Sequence, residues 1–154
     1  MLSHVKKGQP AMVNVGDKIA TRRVARALAR VSLPPEVAAN IRKGDIAGPK
    51  GPVIQTARLA GVMAAKQTSS LIPLCHPLAL EDCQIDIRFE KRSEMRIECR
   101  VETHHKTGVE MEALTGAAVA ALTVYDMCKA LSHGIIIREI RLLEKTGGKN
   151  DYRK

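Results

Sequence analysis

The sequence predicts an α+β domain in which one antiparallel sheet carries helices on one face. Three observations predict it: a hairpin of alternating residues over 83–101, an apolar helix over 109–131, and a helix of small residues over 53–70. With one strand before the first helix and another after the second, the element order is strand, helix, strand, strand, helix, strand. That order is typical of a ferredoxin-like fold.

The first strand is predicted within residues 13–31, where the pattern is ambiguous. Val24, Arg26, Leu28 and Arg30 alternate with alanines and a valine, which permits a strand, but the alanine and arginine content equally suits a helix. We expect a strand because the other elements of the fold require one more.

Prolines and glycines divide the next segment. A short helix is predicted from Pro35 to about residue 41, followed by a loop over 43–45 and 48–52. The small residues on both faces of the 53–70 helix indicate close packing against a sheet or a partner subunit. Pro73 and Pro77 then bracket a rigid, non-helical segment.

The second half of the chain has clearer boundaries. Residues 83–89 and 95–101 alternate apolar with polar residues, which predicts a hairpin with one solvent-facing side. Thr107 and Glu110 have capping-box spacing at the start of the long helix, and Gly134 is expected to stop it. Residues 135–143 are predicted as the last strand.

Length and composition bound the function. The 154 residues suit one domain, with residues 1–12 and 150–154 expected to be flexible. A net charge of +9 suits an anionic partner, either a polyphosphate substrate or a nucleic acid. Only three residues are aromatic, which argues against a single-stranded nucleic-acid surface, because such surfaces need stacking rings.

Signals for other locations are missing from the sequence. It shows no apolar signal segment and no run long enough to span a membrane, so we expect a cytoplasmic protein without a membrane partner. The four cysteines lack CxxC spacing, so we expect reduced thiols and no metal site. Cys83 and Cys99 are expected to act as small core residues.

Asp126 and Lys129 lie three residues apart near the end of the long helix, which places them on one helical face. A solvent-facing ion pair is the simpler interpretation, worth roughly 0–1 kcal/mol. However, nearly all of their neighbours are apolar, which predicts a largely buried helix. A buried carboxylate and ammonium would have coupled proton affinities, as an acid/base pair requires.

Other polar residues also have two interpretations. Glu110 fits a capping role, whereas Glu112 has no local task and is the better candidate for a ligand contact. His76 lies between prolines that fix its direction, so it is either an acid/base group or a solvated loop histidine. Glycine-lysine loops at 43–45 and 145–149 favour phosphate binding, although the second also suits a flexible tail.

Several ordered segments resemble the MoaC family closely. They are AMVNVGDK, KGD at 43–45, TARLAGVMAAKQTSSLIPLCHPLAL, KTGVEMEALTGAAVAALTVYDMCKAL and IRLLEKTGGK, which together span most of the chain. The sequence departs from the commoner family pattern in a longer loop over 46–55, which puts the position of Lys43 in doubt, and in the histidine pair at 104–105.

The resemblance implies a ferredoxin-like, cytoplasmic homohexamer, built as a trimer of dimers with active sites at subunit interfaces. It implies a lyase without a cofactor, which converts a cyclised GTP-derived nucleotide to cyclic pyranopterin monophosphate in molybdenum cofactor biosynthesis. By motif, the catalytic residues fall on Asp126, Lys129 and Lys43. Substrate contacts fall on the following residues: Leu74, Cys75, His76, Met111, Glu112 and Lys149.

The implied chemistry fits these residue types. Ring opening and closure need paired acid/base groups, and attack of a ribose hydroxyl on the α-phosphate needs cations, for which Arg22, Arg23 and Arg26 are further candidates. The competing hypotheses are a small basic nucleic-acid-binding module, supported by the charge, and an inactive relative that acts as a scaffold.

Overall fold

The computed structural model describes residues 5–6 and 8–154, with side chains from residue 8 onward. In chain order the elements are β1 (Val5–Lys6), β2 (Gln9–Pro10), β3 (Thr21–Ser32), α1 (Pro35–Ala38), β4 (Ile41–Arg42), β5 (Asp45–Gly48), β6 (Gly51–Pro52), α2 (Val53–Lys66), α3 (Thr68–Leu71), β7 (Asp82–Lys91), β8 (Glu94–His105), α4 (Glu110–Cys128), β9 (Ile136–Thr146) and β10 (Tyr152–Arg153). The predicted combination of helices with an antiparallel sheet is confirmed.

The main sheet has the strand order β10-β9-β3-β8-β7, and every neighbouring pair is antiparallel. The ambiguous 13–31 segment supplies its central strand, β3, as expected. A strand forms there because β8 and β9 pair with both of its edges, so its backbone hydrogen bonds are satisfied by neighbours. Ala25, Ala27 and Ala29 are fully buried, and their small side chains let α4 pack on β3.

Helices α2 and α4 pack on each other and on the sheet. They cross where Gly61 meets Gly116: a Cβ atom built on Gly61 would lie 2.9 Å from the Gly116 carbonyl oxygen. A Cβ atom on Gly116 would lie 2.6 Å from Cys99 Sγ of β8. The small residues in α2 therefore serve close packing within the domain.

The other face of the sheet is open and charged. Arginine and carboxylate side chains of β3, β7, β8 and β9 form an ion-paired surface on this face. Its arginines are Arg22, Arg26, Arg30, Arg88, Arg96, Arg100, Arg138 and Arg141, and its carboxylates are Asp82, Asp86, Glu90, Glu94, Glu98, Glu102, Glu139 and Glu144. Eight positive and eight negative groups cancel, so the net charge of +9 resides elsewhere on the molecule.

Several predicted boundaries change. Helix α1 ends at Ala38 instead of residue 41, because the chain turns into the antiparallel hairpin of β4 and β5. The predicted loop over 43–52 contains the short strands β5 and β6, so β4, β5 and β6 form a three-stranded meander. The helix predicted over 53–70 is interrupted at Gln67, which separates α2 from α3. The predicted flexibility of the chain ends stays a prediction; residues 1–4 and 7 lie outside the described residues.

The predicted ends of the long helix are wrong. The residue before its first turn is Val109 and no side chain caps it, so the capping box from Thr107 does not form. Glu110 is instead paired with Lys145, whose Nζ lies 3.2 Å from Glu110 Oε1. The helix ends at Cys128, well before Gly134. The hairpin of β7 and β8 is confirmed, and all four cysteines are free thiols in the structure.

Candidate active site

A pocket of about 410 Å³ forms near the N-terminus of α4. It is lined by residues from three separate segments: Val13, Val15, Lys18, Leu74, Cys75, His76, Leu78, Thr107, Gly108, Glu110, Met111 and Glu112. Five of the six predicted substrate contacts therefore lie together. The rigid turn after α3 supplies three of them, and the first turn of α4 supplies the other two.

Glu112 is the pocket's buried acid, with only 4% of its surface exposed. Burial raises the pKa of its carboxyl to about 7, because it outweighs the lowering by a backbone hydrogen bond, and the nearby charge of Glu110 adds a smaller increase. Near neutral pH this carboxyl exists in both protonation states. It can therefore accept hydrogen bonds from N–H groups or donate one itself.

Cys75 and His76 stand beside this acid. Burial, with a smaller contribution from Glu112, raises the pKa of the Cys75 thiol, so it is neutral and a weak nucleophile. His76 Nε2 donates a hydrogen bond to the carbonyl oxygen of Val13 at 2.7 Å. Because a carbonyl can only accept, this bond places the ring proton on Nε2 and leaves Nδ1 of the neutral ring as an acceptor.

A second cluster lies at the other end of α4. Asp126 accepts from two lysines: Lys129 Nζ is 2.8 Å from Oδ1, and Lys50 Nζ is 2.6 Å from Oδ2. The hydrogen bond from Lys129, followed by that from Lys50, lowers the pKa of Asp126 to about 2. The same contact raises the pKa of Lys129. Asp126 and Lys129 are therefore ionised at neutral pH.

The expectation that Asp126 and Lys129 are buried is wrong within the single chain. Their side chains are 50% and 47% exposed. The apolar neighbours Met127 and Cys128 face the core, whereas this pair lies on the outer side of the helix end. The apolar sequence of α4 predicted burial on all sides, but one side of its last turn is exposed in the single chain.

The second lysine beside Asp126 is Lys50, whereas the sequence predicted that Lys43 acts together with Asp126 and Lys129. Lys43 lies at the β4–β5 turn with φ of 49°, and its side chain makes no hydrogen bond or ion pair within residues 8–154. The sequence contained a signal for Lys50: Lys50-Gly51 is the lysine-glycine pair that runs almost directly into α2. Lys43-Gly44 is a second such pair, and the longer loop over 46–55 separates it from α2.

The meander holds Lys50 in place from two sides. Asp45 Oδ1 accepts from the N–H groups of Ile46 at 2.7 Å and Ile54 at 2.9 Å, so it joins β5 to the first turn of α2. Gly48 lies against the end of α4, where an added Cβ atom would be 3.2 Å from the carbonyl oxygen of Met127. Lys50 is therefore carried by a segment that is tied to both helices.

Further cations surround the C-terminal loop. Gly147, at φ of 85°, packs so tightly on β3 that a Cβ atom would lie 1.8 Å from the carbonyl oxygen of Arg22. The predicted phosphate ligand Lys149 is exposed in this loop. Arg23 lies beside this loop and donates hydrogen bonds to backbone oxygens. Arg22 and Arg26 instead form ion pairs with carboxylates on the open sheet face.

The pocket and the lysine-aspartate cluster do not meet in one chain. Glu112 and Asp126 are fourteen residues apart on α4, and at 1.5 Å per residue this separates them by about 21 Å. The pocket contains five of the predicted site residues. The cluster contains two more, Asp126 and Lys129, together with Lys50. The predicted site is therefore divided between two places in the single chain.

The fold and the two sites define the class of protein: a small antiparallel α+β domain with a pocket around a buried acid and a separate Lys–Asp–Lys cluster. The chain belongs to the MoaC family, whose model matches residues 12–148. It is 53% identical over 151 residues to the cyclic pyranopterin monophosphate synthase of Thermomicrobium roseum, with 97% of this chain and 90% of the relative covered. The protein of that name from Xanthomonas campestris pv. campestris is 52% identical over 144 residues, covering 94% of this chain and 87% of the relative.

Neither a membrane-crossing helix nor a cluster of metal-binding side chains occurs among the described residues. No helix among them is long and apolar enough to cross a membrane. Within the same part of the chain, no group of three or more histidine, cysteine, aspartate or glutamate side chains is arranged to hold a metal ion.

Proposed function

We propose that this protein is a cyclic pyranopterin monophosphate synthase. Its substrate is (8S)-3′,8-cyclo-7,8-dihydroguanosine 5′-triphosphate, and its products are cyclic pyranopterin monophosphate and diphosphate, in molybdenum cofactor biosynthesis. The observation that carries this proposal is identity above 50% to synthases of that name over nearly the whole chain. The reaction requires no cofactor, and we expect it to take place in the cytoplasm.

The active site is proposed to form between two copies of the chain. An acid/base group must lie within about 2.6–3.2 Å of the proton that it moves, directly or through one water. A separation of about 21 Å along α4 prevents the pocket and the Asp126 cluster of one chain from acting on the same ring. A second copy that places its cluster over this pocket would complete the site.

Exposed apolar side chains support such an assembly. Leu59 and Met63 of α2 and Leu122 of α4 are each more than half exposed on the helical layer. Apolar side chains of this size gain free energy when a partner covers them. We therefore propose a homohexamer built as a trimer of dimers, with the ferredoxin-like fold in each subunit, an interpretation favoured by the strand order β9-β3-β8-β7.

Within the completed site, Asp126, Lys129 and Lys50 are proposed to move protons during ring opening and closure. In the single chain, the pKa of Lys129 is raised by its carboxylate partner, which makes this ammonium a weak acid. Cover by a second subunit would remove water from the cluster and lower the pKa of Lys129 toward neutrality, where acid/base catalysis is most efficient. Lys43 is the weaker candidate for this role.

The phosphates are proposed to lie by the cationic loop. A ribose hydroxyl attacks the α-phosphorus, its oxygen forms the new P–O bond, and the bond to the bridging oxygen breaks as diphosphate leaves. Lys149 and Arg23, which both lie at this loop, are proposed to neutralise the developing negative charge. In the pocket, Glu112 is proposed to bind the N–H edge of the ring system, together with Met111 and the Leu74–His76 turn.

The decisive experiment is incubation of the purified protein with the cyclised nucleotide, followed by assay of both products. Diphosphate and cyclic pyranopterin monophosphate should appear in equal amounts. Lys129→Ala should abolish both at unchanged thermal stability, since its ion pair is half exposed and contributes little to folding. Absence of both products from the wild-type protein would refute the proposal.

Neither alternative has a structural observation in its favour. A nucleic-acid-binding module would need a basic platform, but the open sheet face has balanced charges and no aromatic ring has been found on it. An inactive scaffold would not need the acid/base groups, yet Glu112, Asp126 and Lys129 are all present. The family comparison favours the enzyme over both.

A further inference from the structure

The segment Val13–Lys18, here called the strap, forms one wall of the pocket without belonging to any helix or strand. Val13, Val15 and Lys18 line the pocket from this segment. The strap has its own turn: the N–H of Gly16 donates to Asn14 Oδ1 at 2.8 Å, and the N–H of Lys18 donates to the carbonyl oxygen of Val15 at 3.1 Å. It is a locally ordered unit and not simply a loose connection.

Two side chains hold the strap to the rest of the domain. His76 Nε2 donates to the carbonyl oxygen of Val13 at 2.7 Å, and Lys106 Nζ donates to the carbonyl oxygen of Gly16 at 2.5 Å. Within the described part of the chain, these are the hydrogen bonds that join the strap to other segments. Each comes from one of the two other walls of the pocket, at the turn after α3 and just before α4.

The ammonium of Lys106 is bonded to the backbone of the strap. Its bonded partner is a neutral backbone oxygen, and no carboxylate among residues 8–154 forms an ion pair with it. The hydrogen bond is charge-assisted and therefore stronger than a neutral one. The same side chain thus fixes the strap and leaves its positive charge beside the pocket wall.

We propose that Lys106 is a positioning residue that keeps the strap closed on the pocket, and so sets the affinity for the anionic nucleotide. This rests on the function proposed above. When the strap is closed, the valine side chains exclude water from one side of the bound ring, and Lys18 faces the anionic substrate. When it opens, the pocket loses that wall and becomes a groove. Lys106 acts through the strap and need not touch the reacting atoms.

The expected effect follows from the strength of one charge-assisted hydrogen bond. Its loss shifts an open–closed equilibrium by roughly tenfold when the bond is exposed to solvent, as this one is. Lys106→Met keeps the length of the side chain and removes the ammonium, so the strap should open about ten times more often. Lys106→Arg can still donate to the Gly16 carbonyl and should restore most of the closure.

The test combines proteolysis with kinetics on the full-length protein. Trypsin cleaves after Lys18 only when the strap leaves its position, so cleavage of the Lys18–Ile19 bond, followed by mass spectrometry, should be about tenfold faster in Lys106→Met. The KM for the cyclised nucleotide should rise with kcat nearly unchanged, but by less than the cleavage rate, because the closed fraction changes less than the open fraction. Lys91→Met is the matched control, since Lys91 is exposed in the β7–β8 hairpin, and it should change neither quantity.

The outcomes separate this proposal from the proposed function. Unchanged cleavage and unchanged KM in Lys106→Met would overturn the positioning role, and so would a fall in kcat at constant KM. A melting temperature equal to that of the wild type excludes general unfolding, and recovery in Lys106→Arg assigns the effect to the hydrogen bond. If the wild-type protein does not turn over the nucleotide, the proposed function fails while the cleavage assay still decides whether Lys106 holds the strap.

Discussion

The buried carboxyl of Glu112 should make the folded protein less stable as the pH rises toward neutrality. Its pKa moves from the usual 4.5 to about 7 on folding, because burial disfavours the charged form. Below about pH 4.5 the group is protonated in both the folded and the unfolded chain. Between that pH and about 7 the unfolded chain releases its proton while the folded chain retains it, so the free energy of unfolding falls with pH.

The size of the effect follows from the same pKa values. Each pKa unit corresponds to 1.36 kcal/mol, so the free energy of unfolding should lose about 3 kcal/mol between pH 4.5 and pH 8. Glu112→Gln keeps the shape of the side chain but cannot ionise. Between pH 4.5 and pH 8, the free energy of unfolding of this variant should therefore rise by about 3 kcal/mol relative to that of the wild type.

Urea unfolding at pH 5, 6, 7 and 8, at one protein concentration, measures this difference. Glu36→Gln is the matched control, because Glu36 is exposed on α1 and its replacement should give a nearly pH-independent difference. A stability difference for Glu112→Gln that varies by less than about 1 kcal/mol across this range would refute the assignment of a buried, neutralised acid. The same variant should bind the cyclised nucleotide weakly, since glutamine cannot present two acceptor oxygens.

Four further predictions test the cluster, the helix crossing and the assembly. Asp126→Asn should lower turnover by about 10²- to 10⁴-fold in single-turnover assays without loss of substrate binding; near-normal turnover contradicts the acid/base role. Lys50→Met should impair turnover far more than Lys43→Met, and the reverse order in the same assay restores the original sequence-based assignment. Gly116→Ala should destabilise the fold by about 1–3 kcal/mol in thermal unfolding, because its Cβ would lie 2.6 Å from Cys99 Sγ, and adding Cys99→Ala should recover part of that loss. Sedimentation should show a homo-oligomer at micromolar concentration, and a stable monomer would contradict the shared site.

Local patterns were sufficient where one physical effect dominated. The alternation of apolar and polar residues over 83–101 predicted the β7–β8 hairpin, because successive side chains on a strand point to opposite faces of the sheet. Pro73 and Pro77 predicted the non-helical turn that carries Leu74–His76. The ordered sequence motifs indicated the family by resemblance, and the match to the family model confirms it.

Local sequence patterns gave wrong predictions where the same residues were compatible with two arrangements. Thr107 and Glu110 had the spacing of a capping box, but Glu110 pairs with Lys145 across the fold, and the helix begins after Val109. Two lysine-glycine pairs precede α2, and only the folded meander shows that Lys50 reaches Asp126. Hydrogen bonds and ion pairs between distant segments decide such cases, and their partners are not visible in a short sequence window.

The sequence by itself determined the strand and helix order, the family, and the residue types available for proton transfer and phosphate binding. It did so because periodicity and motif order are properties of the chain alone. Only the tertiary structure showed that the pocket around Glu112 and the cluster around Asp126 occupy opposite ends of α4. A rigid helix fixes that distance at about 21 Å, and this separation is the physical reason for proposing that two copies of the chain share each active site.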